Sequence, residues 1–318
     1  MAKLKLASYW ASACGGCDVA ILDTHERILD IAAAADILLW PIALDFKYQD
    51  IEAMPDGHID VTLFHGAIRN SENEHLARLL RAKSKVLVAF GSCAHLGGIP
   101  ALANLFDRGG IFQRVYHTTP STLNPEGIEP ETRIKVEEGE LQLPEFYDTV
   151  RPLDHIVEVD YYVPGCPPTP AQIWKVVLAI NEGNLPAKGS VVGASEKTQC
   201  DECNLKKHEK KITGFRRLAT AQPDQETCYL EQGFLCLGPV TRGGCDTRCQ
   251  LSGVPCRGCY GPPPGVIDQG AKAISAIASV IEAKDEGEVE RIIADIPDPL
   301  RSLNRFGIAG SLLVRKTL

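Results

Sequence analysis

The chain lacks the features of a membrane, exported or nucleic-acid-binding protein. No apolar run in its 318 residues approaches the roughly 20 positions needed to cross a bilayer. The opening Met-Ala-Lys-Leu-Lys enters a strand-like segment without a basic and then apolar leader, and no twin-arginine pair occurs there. Lys and Arg number 33 against 41 Asp and Glu, and the net charge of −8 gives nucleic-acid binding no support. Aromatics are scarce at 6%, yet 44% hydrophobic content suffices for a large core. The expectation is a soluble cytoplasmic protein with neither membrane nor nucleic acid as partner.

Cysteine is what the chain does have, with twelve residues. A long chain without an export signal does not use them as a disulfide framework, so clustered cysteines point to metal. Three C-x-x-C pairs occur, followed by Asp18, Asn204 and Tyr260; the absence of a following His excludes a c-type haem. Twelve divides into three sets of four, as three thiolate-held cubane clusters require.

Residues 3–10 (KLKLASYW), 36–44 (DILLWPIAL), 59–66, 85–91 (KVLVAFG) and 155–163 read as strands. Helices are expected over Asp18–Ala35, over Ser71–Ala82 with a Ser71/Glu74 capping box, and over Pro170–Asn181 capped by Thr169. The alternation predicts an α/β fold, a flavodoxin-like doubly wound parallel sheet. Cys14 and Cys17 then follow the first strand, Cys93 the fourth and Cys166 the fifth, all at the carboxyl edge where such sheets bind ligands. Residues 107–154 read as a polar surface insertion, decorative or partner-docking.

Beyond Leu185-Pro186-Ala187-Lys188-Gly189 the character changes. Residues 200–259 hold eight cysteines among many Gly and Pro with little apolar periodicity. The domains expected are 1–188, flavodoxin-like, and 189–318, an irregular iron–sulfur domain with C-terminal helices. In the latter, Ala271, Ile274, Ile277, Ala278 and Ile281 share one helical face, and Val289, Ile292 and Ile293 start a short helix. The economical partition gives one cluster to Cys200, Cys203, Cys228 and Cys236, and another to Cys245, Cys249, Cys256 and Cys259; a swap between the sets stays open. So does zinc, which suits paired cysteines at ribbon-like spacing. His65 and His95 read as structural, and Asp18 and Glu26 as helix-surface charges or proton relays. The run Lys206-Lys207-His208-Glu209-Lys210-Lys211 reads as a solvated basic face or a dock for an acidic electron carrier.

Trp10-x3-Cys14-Gly15-Gly16-Cys17, Gly91-Ser92-Cys93-Ala94-x2-Gly97-Gly98 and Pro164-Gly165-Cys166-Pro167-Pro168 resemble the small subunit of nickel–iron hydrogenases. Cys236-Leu237-Gly238-Pro239, Cys245 and Cys256-Arg257-Gly258-Cys259 are similar to that family's later motifs. The resemblance runs from about residue 3 to 262. It implies three 4Fe-4S clusters in a line: proximal on Cys14, Cys17, Cys93 and Cys166, medial on Cys245, Cys249, Cys256 and Cys259, and distal on Cys200, Cys203, Cys228 and Cys236. Cys200 stands where many relatives have a distal His, and Cys249 where many have a medial Pro. Both departures resemble cytoplasmic hydrogenases, nearest the coenzyme F-420-non-reducing, viologen-reducing type. The Arg-x-Cys-x-x-Cys and Asp-Pro-Cys-x-x-Cys contexts of the family's nickel site are missing. Hydrogen chemistry is therefore expected on a large-subunit partner, with electrons passing to a small 2Fe-2S subunit and heterodisulfide reductase by analogy. The rivals are an iron–sulfur subunit of another redox complex, such as a quinone reductase or a sulfhydrogenase, and a zinc-stabilised interaction protein.

Overall fold

The computed structural model describes residues 3–209 and 211–313. Among these, the strands are β1 (Leu4–Trp10), β2 (Ala35–Leu39), β3 (Ile59–His65), β4 (Ile68–Asn70), β5 (Ser84–Phe90), β6 (Arg133–Val136), β7 (Gly139–Gln142), β8 (Phe146–Arg151) and β9 (Tyr161–Val163). Five of them form a parallel sheet in the order β2-β1-β3-β5-β9. This is the doubly wound flavodoxin-like order.

Both faces of the sheet are covered, so its strands read as nearly unbroken apolar runs. Along β5, Leu87 and Ala89 point to one face while Val88 and Phe90 point to the other. Helices α1 (Gly16–Leu22) and α2 (Arg27–Ala34) follow β1, and α3 (Ser71–Lys83) precedes β5. Then come α4 (Ser92–Leu96) and α5 (Pro170–Asn181). Leu76, Ala77 and Leu80 of α3 pack with Phe64 and Leu87; Ala20, Ile21, Ile173 and Val176 of α1 and α5 pack with Val88 and Phe90.

Several boundaries differ from expectation. The helix expected over Asp18–Ala35 is two helices, because the chain turns at His25, whose φ is 56°. The second strand stops at Leu39, and Trp40–Pro41 begins a turn that leaves Ile42 and Leu44 exposed. The cap of α3 is Asn70, whose side chain accepts from the Asn73 amide; Ser71 Oγ instead accepts from the Glu145 amide, and Glu74 pairs with Arg78 and Arg151. The fifth sheet strand is short, with residues 153–155 in a 3-10 turn. Thr169 and Gln172 do form a capping box on α5.

The 107–154 insertion is partly integral to the fold. Its hairpin β6–β7 is exposed, but β8 returns to pair antiparallel with β4, and Val150 is buried. Beyond residue 190, regular structure is sparse: α6 (Gln199–Glu202) and α7 (Arg248–Leu251) are one turn each. Helices α8 (Gln269–Ala278) and α9 (Glu286–Ala294) follow. The buried face of α8 is Gly270, Ala273 and Ile277, and Ile274 is exposed, so the expected stripe is rotated by one position. Ile292 is buried on α9 and Ile293 is exposed. Among the described residues no helix is long and apolar enough to cross a membrane.

Candidate metal centres

The loops after β1, β5 and β9 meet at the carboxyl edge of the sheet. Two backbone bonds join the second and third of these loops, the Gly91 amide donating to Val163 O at 2.7 Å and the Ser92 amide to Gly165 O at 2.7 Å, while the Asp18 amide closes a turn within the first loop on Gly15 O at 3.1 Å. Gly91 has a φ of 84°, and a Cβ there would stand 2.5 Å from Cys17 Sγ. Only glycine lets the backbone lie this close to the sulfur.

Cys14, Cys17, Cys93 and Cys166 lie within each other's fields. Burial pushes the Cys17 thiol up first, and Cys93, Cys166, Asp18 and Cys14 add to it. Burial and then Cys166 and Cys14 push Cys93 up to about 12. Cys166 is raised by burial and by Cys14.

Among the late eight, burial pushes Cys200 up to about 12, with Cys236, Cys228 and Cys203 raising it further and Lys207 opposing. Cys236 sits at about 11, raised by burial, eased by the Gly238 and Cys256 amides, and raised again by Cys228 and Cys203. Further along the chain, burial pushes Cys259 up to about 12, and Cys249, Cys166 and Cys245 add to it. Burial lifts Cys256 well above the usual thiol range, with Cys236 and Cys259 contributing.

Two of these interactions cross between groups, and both involve the Cys245, Cys249, Cys256 and Cys259 set. Cys259 senses Cys166, and Ser92 Oγ donates to the Cys259 carbonyl at 2.5 Å. Cys256 senses Cys236, and the Leu237 amide donates to the Cys256 carbonyl at 3.0 Å. The set therefore stands between the other two.

Free thiols in fours are a donor set that sulfide-bridged iron takes. All twelve cysteines are free thiols. A tetrahedral zinc site with Zn–S near 2.3 Å holds its sulfurs about 3.8 Å apart around one point. Three of the Cys200 group instead line a cavity of about 350 Å³. Thiols raised by burial and by one another favour the protonated state, so any metal must displace those protons on binding.

Two readings of nearby residues change. Asp18 is no surface charge: it is 1% exposed, accepts from Trp40 Nε1 at 2.8 Å, and has His65 Nε2 3.0 Å away. The sequence gives no sign of Trp40 as its partner, because one Trp in an apolar run carries no signal of a carboxylate. Glu26 is exposed, as a surface charge should be. His95 is half-buried, lies against Tyr162 with ring centroids 4.7 Å apart, and is lowered to about 4 by desolvation and Arg242. The basic run is largely neutralised: Lys206 pairs with Glu226, His208 with Glu231, and Lys211 with Glu209 and Glu282. Lys207 Nζ donates to the Cys200 carbonyl, and Lys210 lies outside the described residues.

Residues 14–180 match the family described as NADH ubiquinone oxidoreductase, 20 Kd subunit. The chain is 43% identical to the iron-sulfur subunit of the F420-non-reducing hydrogenase of Archaeoglobus profundus, covering 98% of each chain. It is 38% identical to a subunit of the F420-non-reducing hydrogenase vhu of Methanocaldococcus jannaschii, over 95% of this chain and 94% of that one. A chain of an NAD+-reducing [NiFe]-hydrogenase in the H2-reduced state matches with a TM-score of 0.50 and 31% identity, over 58% of this chain and 94% of that one. The quinone-reductase likeness covers only the sheet half, whereas the hydrogenase likeness also takes in the late cysteines. The chain thus belongs to the family of F420-non-reducing hydrogenase iron–sulfur subunits, the small subunit that accompanies the nickel-bearing large subunit of a [NiFe] hydrogenase.

Proposed function

We propose that this chain is the electron wire of its hydrogenase, with three 4Fe-4S clusters. Cys14, Cys17, Cys93 and Cys166 hold the proximal one, Cys245, Cys249, Cys256 and Cys259 the medial, and Cys200, Cys203, Cys228 and Cys236 the distal. What supports this reading is that the thiols sense one another in three fours, with Cys259 also sensing Cys166 and Cys256 sensing Cys236. Each cluster, when bound, supplies a site that takes up and gives back one electron.

The chain's own residues hold, insulate and connect. The Cys17 and Cys93 loops are fixed by β1 and β5, so the proximal sulfurs are pre-positioned by the sheet. Ser92 ties the proximal loop to Cys259, and Leu237 ties the distal loop to Cys256. Burial of Cys236 and Cys256 keeps water from the inner file and raises the effect of every nearby charge. We place the division between sheet domain and iron–sulfur domain at 188/189.

The large subunit covers the proximal end in this reading. Cys14 is exposed there, and Val19 and Leu22, one turn apart on α1, are 55% and 53% exposed. Trp10, Ile42 and Leu44 add apolar surface from the neighbouring strand ends. Such a surface suits a large permanent interface. Electrons leave at the distal end to a soluble acceptor, by analogy a 2Fe-2S subunit of a heterodisulfide reductase assembly, in a cytoplasmic complex.

The test is iron analysis with electron paramagnetic resonance on the anaerobic complex. About twelve irons per chain are expected for three cubanes. Cys17→Ala should abolish hydrogen-dependent dye reduction, and Cys228→Ser should remove one distal signal while hydrogen still reduces the proximal centre. Protein that is colourless and holds only zinc would end the reading.

A further inference from the structure

The basic run at 206–211 is largely neutralised, but unanswered positive charge stands elsewhere in the same half. Arg216, Arg217, Arg257 and Arg305 line one cleft of about 270 Å³, and among the described residues no Asp or Glu lines it. Arg291 and Arg301 pair with Glu288 and Asp298, whereas none of the four has an ion pair among the described residues. Asp295, two residues before Pro297 of the cleft wall, instead accepts from the Phe215 amide at 3.3 Å. Arg305 Nε is buried without a hydrogen-bond partner. Burial lowers the Arg305 guanidinium below its ordinary value, and the charge of Arg257 lowers it further. Like charges gathered without a counter-charge cost stability. In a chain whose net charge is −8, such a cleft calls for an anion from outside.

The cleft lies where the distal and medial loops meet. Leu235, which precedes Cys236, and Pro255 and Arg257, which flank Cys256, form part of its wall. The Arg257 amide also bonds to the Cys249 thiol. An occupant of the cleft therefore stands beside both cysteine groups. The planar fork of arginine matches a carboxylate, and its weak hydration suits contacts that exclude water. Leu218, Ala219 and Pro297 fill space among the charges, so the wall is part apolar and part cationic. That mixture fits an acidic side chain with its aliphatic stem better than a bare inorganic anion. Arg216 and Arg217 are exposed while Arg257 and Arg305 are half-buried, so an entering segment meets the first pair before the second.

We propose that this cleft is where the electron-accepting subunit docks, through an acidic segment whose carboxylates enter between Arg216, Arg217, Arg257 and Arg305. The proposal rests on the reading that this chain hands electrons to such a subunit, and it names the surface that receives it. Positive potential at the cleft steers an acidic partner toward the junction of the distal and medial loops and fixes its register there.

The experiment is the double charge reversal Arg216→Glu with Arg217→Glu in the intact, iron-loaded complex. Native mass spectrometry on dilution, at graded salt, reads which subunits stay bound. The acceptor subunit should dissociate with an affinity about tenfold weaker or more, the size of one lost close charge pair. Iron content, retention of the large subunit and reduction of this chain's centres by hydrogen should not change. Arg216→Gln with Arg217→Gln should weaken retention by less and flatten its dependence on salt. Wild-type retention of the acceptor in the reversed variant overturns the proposal. So does loss of the large subunit in its place, or inorganic phosphate that stabilises the wild-type complex against heat without loosening the acceptor. If the reversed variant fails to load iron, the Gln pair decides: weakened retention supports the proposal, and unchanged retention overturns it. Failure of the underlying reading looks different, because hydrogen would then reduce no centre of this chain in the wild-type complex.

Discussion

The two halves of this chain are held together differently. In the sheet half, Leu39, Ile59, Phe64, Leu80 and Leu87 are wholly buried, and hydrogen bonds run in regular ladders between parallel strands. In the half beyond residue 190, α6 and α7 are single turns, and one of the apolar clusters contains the cysteines themselves, Cys236 and Cys256 beside Ile212 and Leu230. The first half has a core before any metal arrives. The second has one apolar cluster of its own, Leu237, Val240, Ala273, Ile277 and Leu303, and otherwise counts sulfur atoms as part of its core, so its order should depend more on what those sulfurs bind.

The strongest way to break this contrast is to take the iron away. Chelation of the anaerobic complex should strip amide-exchange protection from about residues 198–260 down to the level of local opening. Strands β1, β3 and β5 should keep theirs. Uniform loss across both halves, or none in either, would show that the halves do not differ as argued.

A smaller effect sharpens the other side. Phe64 is fully buried and packs against Tyr9 with ring centroids 5.2 Å apart. Phe64→Ala should cost about 3–5 kcal/mol, the usual range for emptying such a site. Thermal unfolding measures it, and the iron content of the folded fraction should stay at the wild-type value. Loss of iron at low temperature, before the sheet melts, would mean that the proximal loop depends on Phe64 more than on its own cysteines.

The same contrast explains what could be read in advance. Lys85–Gly91 is legible as a buried parallel strand because both its faces are covered, and that places Cys93 at the sheet edge. For the late cysteines, spacing narrows the choices without a fold to help, since close pairs on short loops have few ways to share a centre. The break at His25 is not legible: Val19, Leu22 and Leu29 sit near helical spacing, yet all three are exposed, so their spacing reports no single buried face. Asn70 and Ser71 are both good caps, and the choice between them was made by β8, which brings the Glu145 amide to Ser71 Oγ. Trp40 acquires its meaning only from Asp18, 22 positions earlier in the sequence.

The smallest effect probes how the sheet half manages charge without metal. Asp160 is 1% exposed at the start of β9; its carboxylate accepts from Arg81 Nη1 at 2.6 Å and from the Leu87 amide at 2.8 Å, and lies 2.5 Å from Lys188 Nζ. Burial alone would raise its pKa, but the bonds from Arg81, Lys188 and Leu87 win and hold it below the ordinary 3.8. A carboxylate depressed in the folded state contributes stability that is full above the unfolded value and fades as pH falls through the folded one. Asp160→Ala leaves the Leu87 amide unpaired and should cost about 1–3 kcal/mol near neutral pH. The gap between wild type and variant, followed by denaturant titration, should narrow only below about pH 4. A gap that stayed constant through acid would mean that the carboxylate's charge contributes nothing, and that β9 is held by its backbone ladder alone.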